Sequence, residues 1–102
     1  MSLSKKQKRH LKGLAHSLKP VVMVGQHGLT DGLFNELDIA LATHELIKVR
    51  VSAGDREERK AMQETLCQKS GADLIDSIGH IAILYRCNPE APKVTLPNPN
   101  DS

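Results

Sequence analysis

The sequence predicts a single-domain α/β sandwich with a mixed four-stranded sheet, its elements in the order α-β-α-β-α-β-β. Helix-spaced apolar residues alternate with short β-branched runs over about 85 residues. The last two strand-like runs are separated only by Gly79-His80, as in a hairpin, so the sheet should be parallel where helices cross over and antiparallel at its end. The chain has 102 residues with 39% apolar and 25% charged content, enough for one core and too apolar for a disordered chain.

From Ser4 to Leu18, the residues Leu11, Leu14, Ala15 and Leu18 fall at i, i+3, i+4 and i+7, one helical face, with Ser4 as N-cap. At about 100° per residue, Lys5, Arg9, Lys12, His16 and Lys19 form a stripe roughly opposite. Gly13 costs this helix about 1 kcal/mol relative to Ala, which tight packing or close approach of a ligand would rationalise. Pro20 ends the helix, and Val21-Val22-Met23-Val24 predicts a buried strand. Gly25-Gln26-His27-Gly28 is then a tight turn, after which Thr30 caps a second helix carrying Leu33, Phe34, Leu37, Ala40 and Leu41. Leu46 to Val51 alternates, with Ile47, Val49 and Val51 on one face and Lys48 and Arg50 on the other.

Ala53-Gly54 turns the chain, and Asp55 with Glu58 resembles a capping box opening a third helix that runs to about Ser70. Ala61, Met62, Thr65, Leu66 and Lys69 mark its inner edge; Arg56, Arg59 and Lys60 read as part of a mixed, solvated face without a site, and Gly71 stops it. Ala72–Ile78 and Ile81–Arg86 complete the sheet. The domain spans residues 1–87, and residues 88–102, with Pro89, Pro92, Pro97 and Pro99, form an irregular or extended tail.

Charge is segregated along the chain. Residues 1–30 carry Lys5, Lys6, Lys8, Arg9, Lys12 and Lys19 and no acid, a local charge of +6, whereas the remaining 72 residues carry a net −4. A local cationic patch suits a polyanionic partner. The GQHG turn adds backbone amides that lead into a helix N-terminus, between glycines that let a phosphate approach. It is neither a Walker loop nor a dinucleotide fingerprint.

Other chemistries find little support. The histidines at 10, 16, 27, 44 and 80 form no His-x-x-x-His pair, and Glu45 beside His44 points the other way if both lie on a strand, so no metal site is expected. Cys67 and Cys87 stand singly and read as buried thiols. No nucleophile elbow is present, and no enzymatic activity or cofactor is expected. One Phe, one Tyr and no Trp leave no stacking platform, so RNA binding would act through phosphate and shape. The N-terminal segment is too polar for a signal peptide and no run approaches about 18 apolar residues, which predicts a cytoplasmic protein without a membrane partner.

Taken in order, Lys5 to His16 (KKQKRHLKGLAH), Leu18-Lys19-Pro20, Val24 to Thr30 (VGQHGLT) and His44 to Val49 (HELIKV) resemble the CRM domain, the chloroplast RNA splicing and ribosome maturation family, in its bacterial stand-alone YhbY-like form. The resemblance covers residues 1–87. It implies a fold similar to the C-terminal domain of translation initiation factor three. It also implies RNA binding through a GxxG loop that resembles the KH loop, together with the basic first helix and neighbouring sheet residues. By that resemblance Lys5, Lys6, Arg9, Lys12, His16, Lys19, Gly25, Gln26, His27, Gly28, Lys48 and Arg50 would contact RNA. Many members carry a Lys inside the loop; Gln26 and His27 stand there instead, which weakens the loop's own charge. Bacterial members are associated with precursors of the large ribosomal subunit, implying ribosomal RNA, and ribosomal proteins, as partners. The alternative is a protein–protein adaptor in ribosome assembly, docking through the acidic C-terminal region or the proline-rich tail.

Overall fold

Side-chain caps open all three helices of the computed structural model, which describes residues 3–25, 27–52, 54–90, 92, 94 and 96. Ser4 accepts from the Gln7 amide at 3.1 Å while the Gln7 side chain accepts from the Ser4 amide at 3.0 Å, a closed capping box on α1 (Lys5–Ala15). Thr30 accepts from the Leu33 amide to open α2 (Asp31–His44), and Asp55 from the Glu58 amide to open α3 (Arg56–Ser70). Each such cap contributes about 1 kcal/mol. Gly71, at φ 76°, ends α3 in the left-handed conformation. Strands β1 (Pro20–Val24), β2 (Leu46–Val51), β3 (Asp73–Ile78) and β4 (Ile81–Tyr85) complete the order. Sheet order is β1-β2-β4-β3, parallel between β1 and β2 and antiparallel elsewhere.

Helices pack on both faces of the sheet. Val22, Val24, Ile47, Val49, Val51, Ala82 and Leu84 pack against Leu33, Leu37 and Leu41 of α2 and Leu66 of α3. On the opposite face α1 contributes Leu11 and Ala15 to a smaller cluster with Leu46, Ile83 and Tyr85, which Val94 and Leu96 join from beyond the last strand. Arg86 fastens the larger layer, donating to the Asp38 carboxylate at 2.7 Å and to the Ser70 carbonyl at 3.0 Å.

Several sequence expectations are corrected. Helix α1 ends at Ala15 rather than Leu18, because Pro20 disfavours helical geometry at Lys19 and the chain leaves through i→i−3 bonds to the Gly13 and Ala15 carbonyls. Its buried ridge is Gln7, Leu11 and Ala15, spaced by four, so Leu14 lies about 60° off the ridge and is 43% exposed, with Leu18 beyond the helix. Nothing lies within 4 Å of a Cβ built on Gly13, which removes tight packing as its reason. Strand β1 is a sheet edge rather than a buried strand, and its Val21 and Met23 are exposed. On α3 the buried residues are Gln63 and Leu66, while Ala61 and Lys69 are exposed, the Lys69 ammonium lying 5.0 Å from the Phe34 ring centre. Cys87 is exposed; Cys67 is half-buried, and burial pushes its thiol up to about 11. The Ala53 position in the turn before α3, and residues 91, 93, 95 and 97–102 of the expected tail, lie outside the described residues.

Glu45 departs furthest from its expected place on a strand. It is the C-cap of α2, fully buried, with φ 63° and ψ −48°, a conformation rarely adopted by residues with a Cβ. Its carboxylate accepts from the amides of Asn88 at 2.6 Å and Val94 at 2.8 Å, and its carbonyl accepts from the Arg86 amide. One side chain therefore clamps the segment after β4 against the α1 face. Glu45→Ala is expected to cost about 2 kcal/mol of stability through the unmet amides and to speed proteolytic cleavage near residue 90. Glu45→Gly should lose less, because glycine accepts the positive φ. Equal losses, or unchanged cleavage in both variants, would contradict the clamp.

Candidate nucleic-acid interface

The alternation of β2 divides its side chains between the two layers. Ile47, Val49 and Val51 enter the α2/α3 core, so Leu46, Lys48 and Arg50 face the α1 side. Helix α1 covers Leu46 and leaves the far half of that face open. Across the open half the register aligns Met23, Arg50, Ile81 and Ile78 in one row; Met23 is 68% and Ile78 59% exposed.

Lys12 and His16 of the α1 stripe meet Lys48, Ile78, Ile81 and Ile83 around a hollow of about 160 Å³. Lys48 is held there by donating to the Leu18 carbonyl at 3.0 Å, and Lys12 pairs with Asp76 at 2.9 Å. The Lys12 ammonium donating to Asp76 holds that carboxyl below its ordinary value. The stability this adds is present at neutral pH and is lost as pH falls through the lowered titration; at this surface it amounts to under about 1 kcal/mol. Lys5 and Arg9 extend the exposed stripe along α1, and Lys6 is half-buried beside it.

The loop after β1 stands at the same end of the sheet as Arg50, since β1 and β2 are parallel and the Ser52 amide donates to the Val24 carbonyl at 3.1 Å. The Gly28 amide donates to the Gly25 carbonyl at 3.1 Å, closing the turn, and Gly28 has φ 70°. His27 is exposed, and Gln26 lies outside the described residues. Gly25, His27, Gly28 and the first turn of α2 border a hollow of about 300 Å³ whose described walls include Glu36 and no Lys or Arg. Attraction for a polyanion must therefore come from α1 and β2, with the loop offering backbone amides and His27.

Lys19 does not join this group. It lies past the end of α1 and lines, with His10, Leu14, Leu18, Val21 and His44, a separate apolar groove of about 600 Å³ on the other side of that helix. The row of exposed Met23 and Ile78 with half-buried Ile81 between them is not evident from sequence. The alternation within β1 was its one readable signal. Among the described residues no cluster of three His, Cys, Asp or Glu could hold a metal ion, and no helix is long and apolar enough to cross a membrane.

The two loop glycines have different reasons to be glycine. A Cβ at either meets nothing within 4 Å, but only Gly28 has positive φ. Gly28→Ala is expected to lower stability by about 1 kcal/mol and Gly25→Ala to leave the thermal midpoint unchanged. Equal midpoints for both variants would contradict this.

The family model for the CRS1/YhbY (CRM) domain matches residues 3–86. A Haemophilus influenzae RNA-binding protein is 49% identical over 96 residues, covering 94% of this chain and 96% of its own. A Pseudomonas aeruginosa protein, named a probable RNA-binding protein, is 45% identical over 93 residues, covering 91% and 89%. The solution structure of a Staphylococcus aureus protein proposed to bind RNA superposes with a TM-score of 0.81 at 33% identity, covering 94% of this chain and 100% of that one. None of these relatives is named for an enzymatic activity. With the family model spanning nearly the whole α/β domain, the chain belongs to the CRS1/YhbY (CRM) domain family.

Proposed function

We propose that this protein binds structured RNA without catalysing a reaction on it, and that its client is ribosomal RNA in an assembling large subunit. The observation that carries the reading is the convergence of Lys12, His16 and Lys48 on one hollow, with Arg50 beside it and Lys5 and Arg9 along the adjoining helix. The names of the relatives support the RNA partner. In this reading the cations hold phosphates, the open row of Met23, Ile81 and Ile78 meets sugars or bases, and the amides of the Gly25–Gly28 loop take a further phosphate. Binding would take place in the cytoplasm.

The adaptor reading finds its own observation in the apolar groove bordered by Leu14, Leu18 and Val21. Arg9→Glu/Lys12→Glu separates the two: RNA association should be abolished, while capture of a protein partner would persist. In a sucrose gradient of cell lysate at low and high salt, co-sedimentation with large-subunit precursors that is lost at high salt supports the ribosomal client. Residence at the top of the gradient at both salts contradicts it.

With about five phosphate contacts, log K on single-stranded RNA should fall with log[salt] at a slope of roughly −3.5. Asp76→Asn, which frees Lys12, should tighten binding and steepen that slope, and Gly25→Ala should weaken binding with no loss of thermal stability. A salt-independent affinity would contradict the electrostatic mechanism.

A further inference from the structure

Away from the α1 face, a hollow of about 470 Å³ opens between α3 and the edge strand β3, lined by Arg56, Arg59, Lys60, Gln63, Leu74, Ser77 and Gly79. Sequence reading treats these cations as ordinary solvated helix surface. Their spacing, at 56, 59, 60 and 63, puts them on one face of α3, and no acidic side chain is among the described residues that line the hollow. The Arg59 guanidinium is steadied by donating to the Gly54 carbonyl at 3.2 Å, which leaves most of its five N–H donors for another partner.

Gln63 is the second, independent observation. It is only 3% exposed, yet its side-chain amide forms no hydrogen bond with any described residue. No fully enclosed polar atom lacks a partner among the described residues, so the little of this amide that reaches outside does so at the hollow it lines. With no partner among the described residues, the polar atoms of this nearly buried side chain open only onto the hollow, where water or an entering group completes their hydrogen bonds. Both a donor and an acceptor are offered there, the pairing that a base edge or a ribose hydroxyl requires.

The hollow adjoins the α1 face across the edge strand. Ile78 lines the hollow shared by Lys12, His16 and Lys48, while its neighbours Ser77 and Gly79 line the one on α3, so the end of β3 forms a wall of both. We propose that the hollow between α3 and β3 is a second RNA subsite, in which Arg56, Arg59 and Lys60 hold a backbone phosphate and the Gln63 amide bonds the adjoining sugar or base edge, so that a strand held on the α1 face continues over the β3–β4 turn. The proposal rests on the RNA-binding reading above and extends it to the opposite layer of the domain.

The test uses the full chain and a fluorescein-labelled oligouridylate, with affinity read by anisotropy across a salt series. Arg56→Gln/Lys60→Gln removes two exposed cations and is expected to flatten the salt slope by about 1.4 and to weaken binding severalfold. Gln63→Leu should weaken binding about threefold while leaving the thermal midpoint unchanged or raised, because the unpartnered amide is gone. If both variants bind like the unaltered chain while Arg9→Glu/Lys12→Glu binds poorly, the second subsite is refuted and the first reading stands. If Gln63→Leu melts early and binds RNA normally, the glutamine is structural and the subsite loses its carrying observation. Failure of the unaltered chain to bind any RNA would remove both readings. Competition by polyglutamate that disappears in Arg56→Gln/Lys60→Gln would replace RNA by an acidic peptide.

Discussion

The period-two alternation of β2 is the constraint from which the rest of the domain follows. A central strand with Ile47, Val49 and Val51 on one side must bury that side, and α2 and α3 supply the cover. The same alternation sends Leu46, Lys48 and Arg50 to the opposite side, where burial of two cations would be prohibitive without partners. Cover on that side can therefore be only partial. Helix α1 lies over the apolar end, at Leu46, and the cationic end stays open.

Partial cover explains why charge and exposed apolar surface occur together. Among the described residues no helix lies above the row of Met23, Arg50, Ile81 and Ile78, and the rim nearest to it is the cationic side of α1. Glu45 acts at the opposite end of the same face. By accepting the Asn88 and Val94 amides it lays the chain beyond β4 beside α1, so that Val94 and Leu96 complete the small cluster that a single short helix could not close. The larger core carries the fold; the smaller one positions α1, and with it the cations.

Much of this was legible in sequence because it depends on local rules. The caps at Ser4, Thr30 and Asp55, the stop at Gly71 and the alternation of β2 each rest on residues within a few positions of one another. What escaped depends on tertiary placement. Period alone cannot say how wide a stripe of α1 touches the sheet; it places Leu14 and Leu18 on the same face as Leu11 and Ala15, although only one ridge reaches the sheet. Nor can it identify a sheet edge, which exposes Met23. A Glu between a helix and a strand reads as strand, and the amides that hold Glu45 in place lie more than forty residues away. Within the candidate site, the α1 stripe and Arg50 were readable from charge and spacing. The departure of Lys19 follows from helix α1 ending early, and the cations of α3 acquire a common hollow only once β3 is laid against them.

Amide chemical-shift mapping during titration with RNA tests most directly whether RNA sits on the open half of the α1 face. Shifts should be largest on Lys5–His16, the Gly25–Gly28 loop and residues 48–50, with smaller ones at residues 56–63 and 77–79 where the second subsite is filled, and the Leu37 and Leu66 core unmoved. Shifts confined to the groove of Leu14, Leu18 and Val21, or spread evenly over the chain, would contradict the assignment.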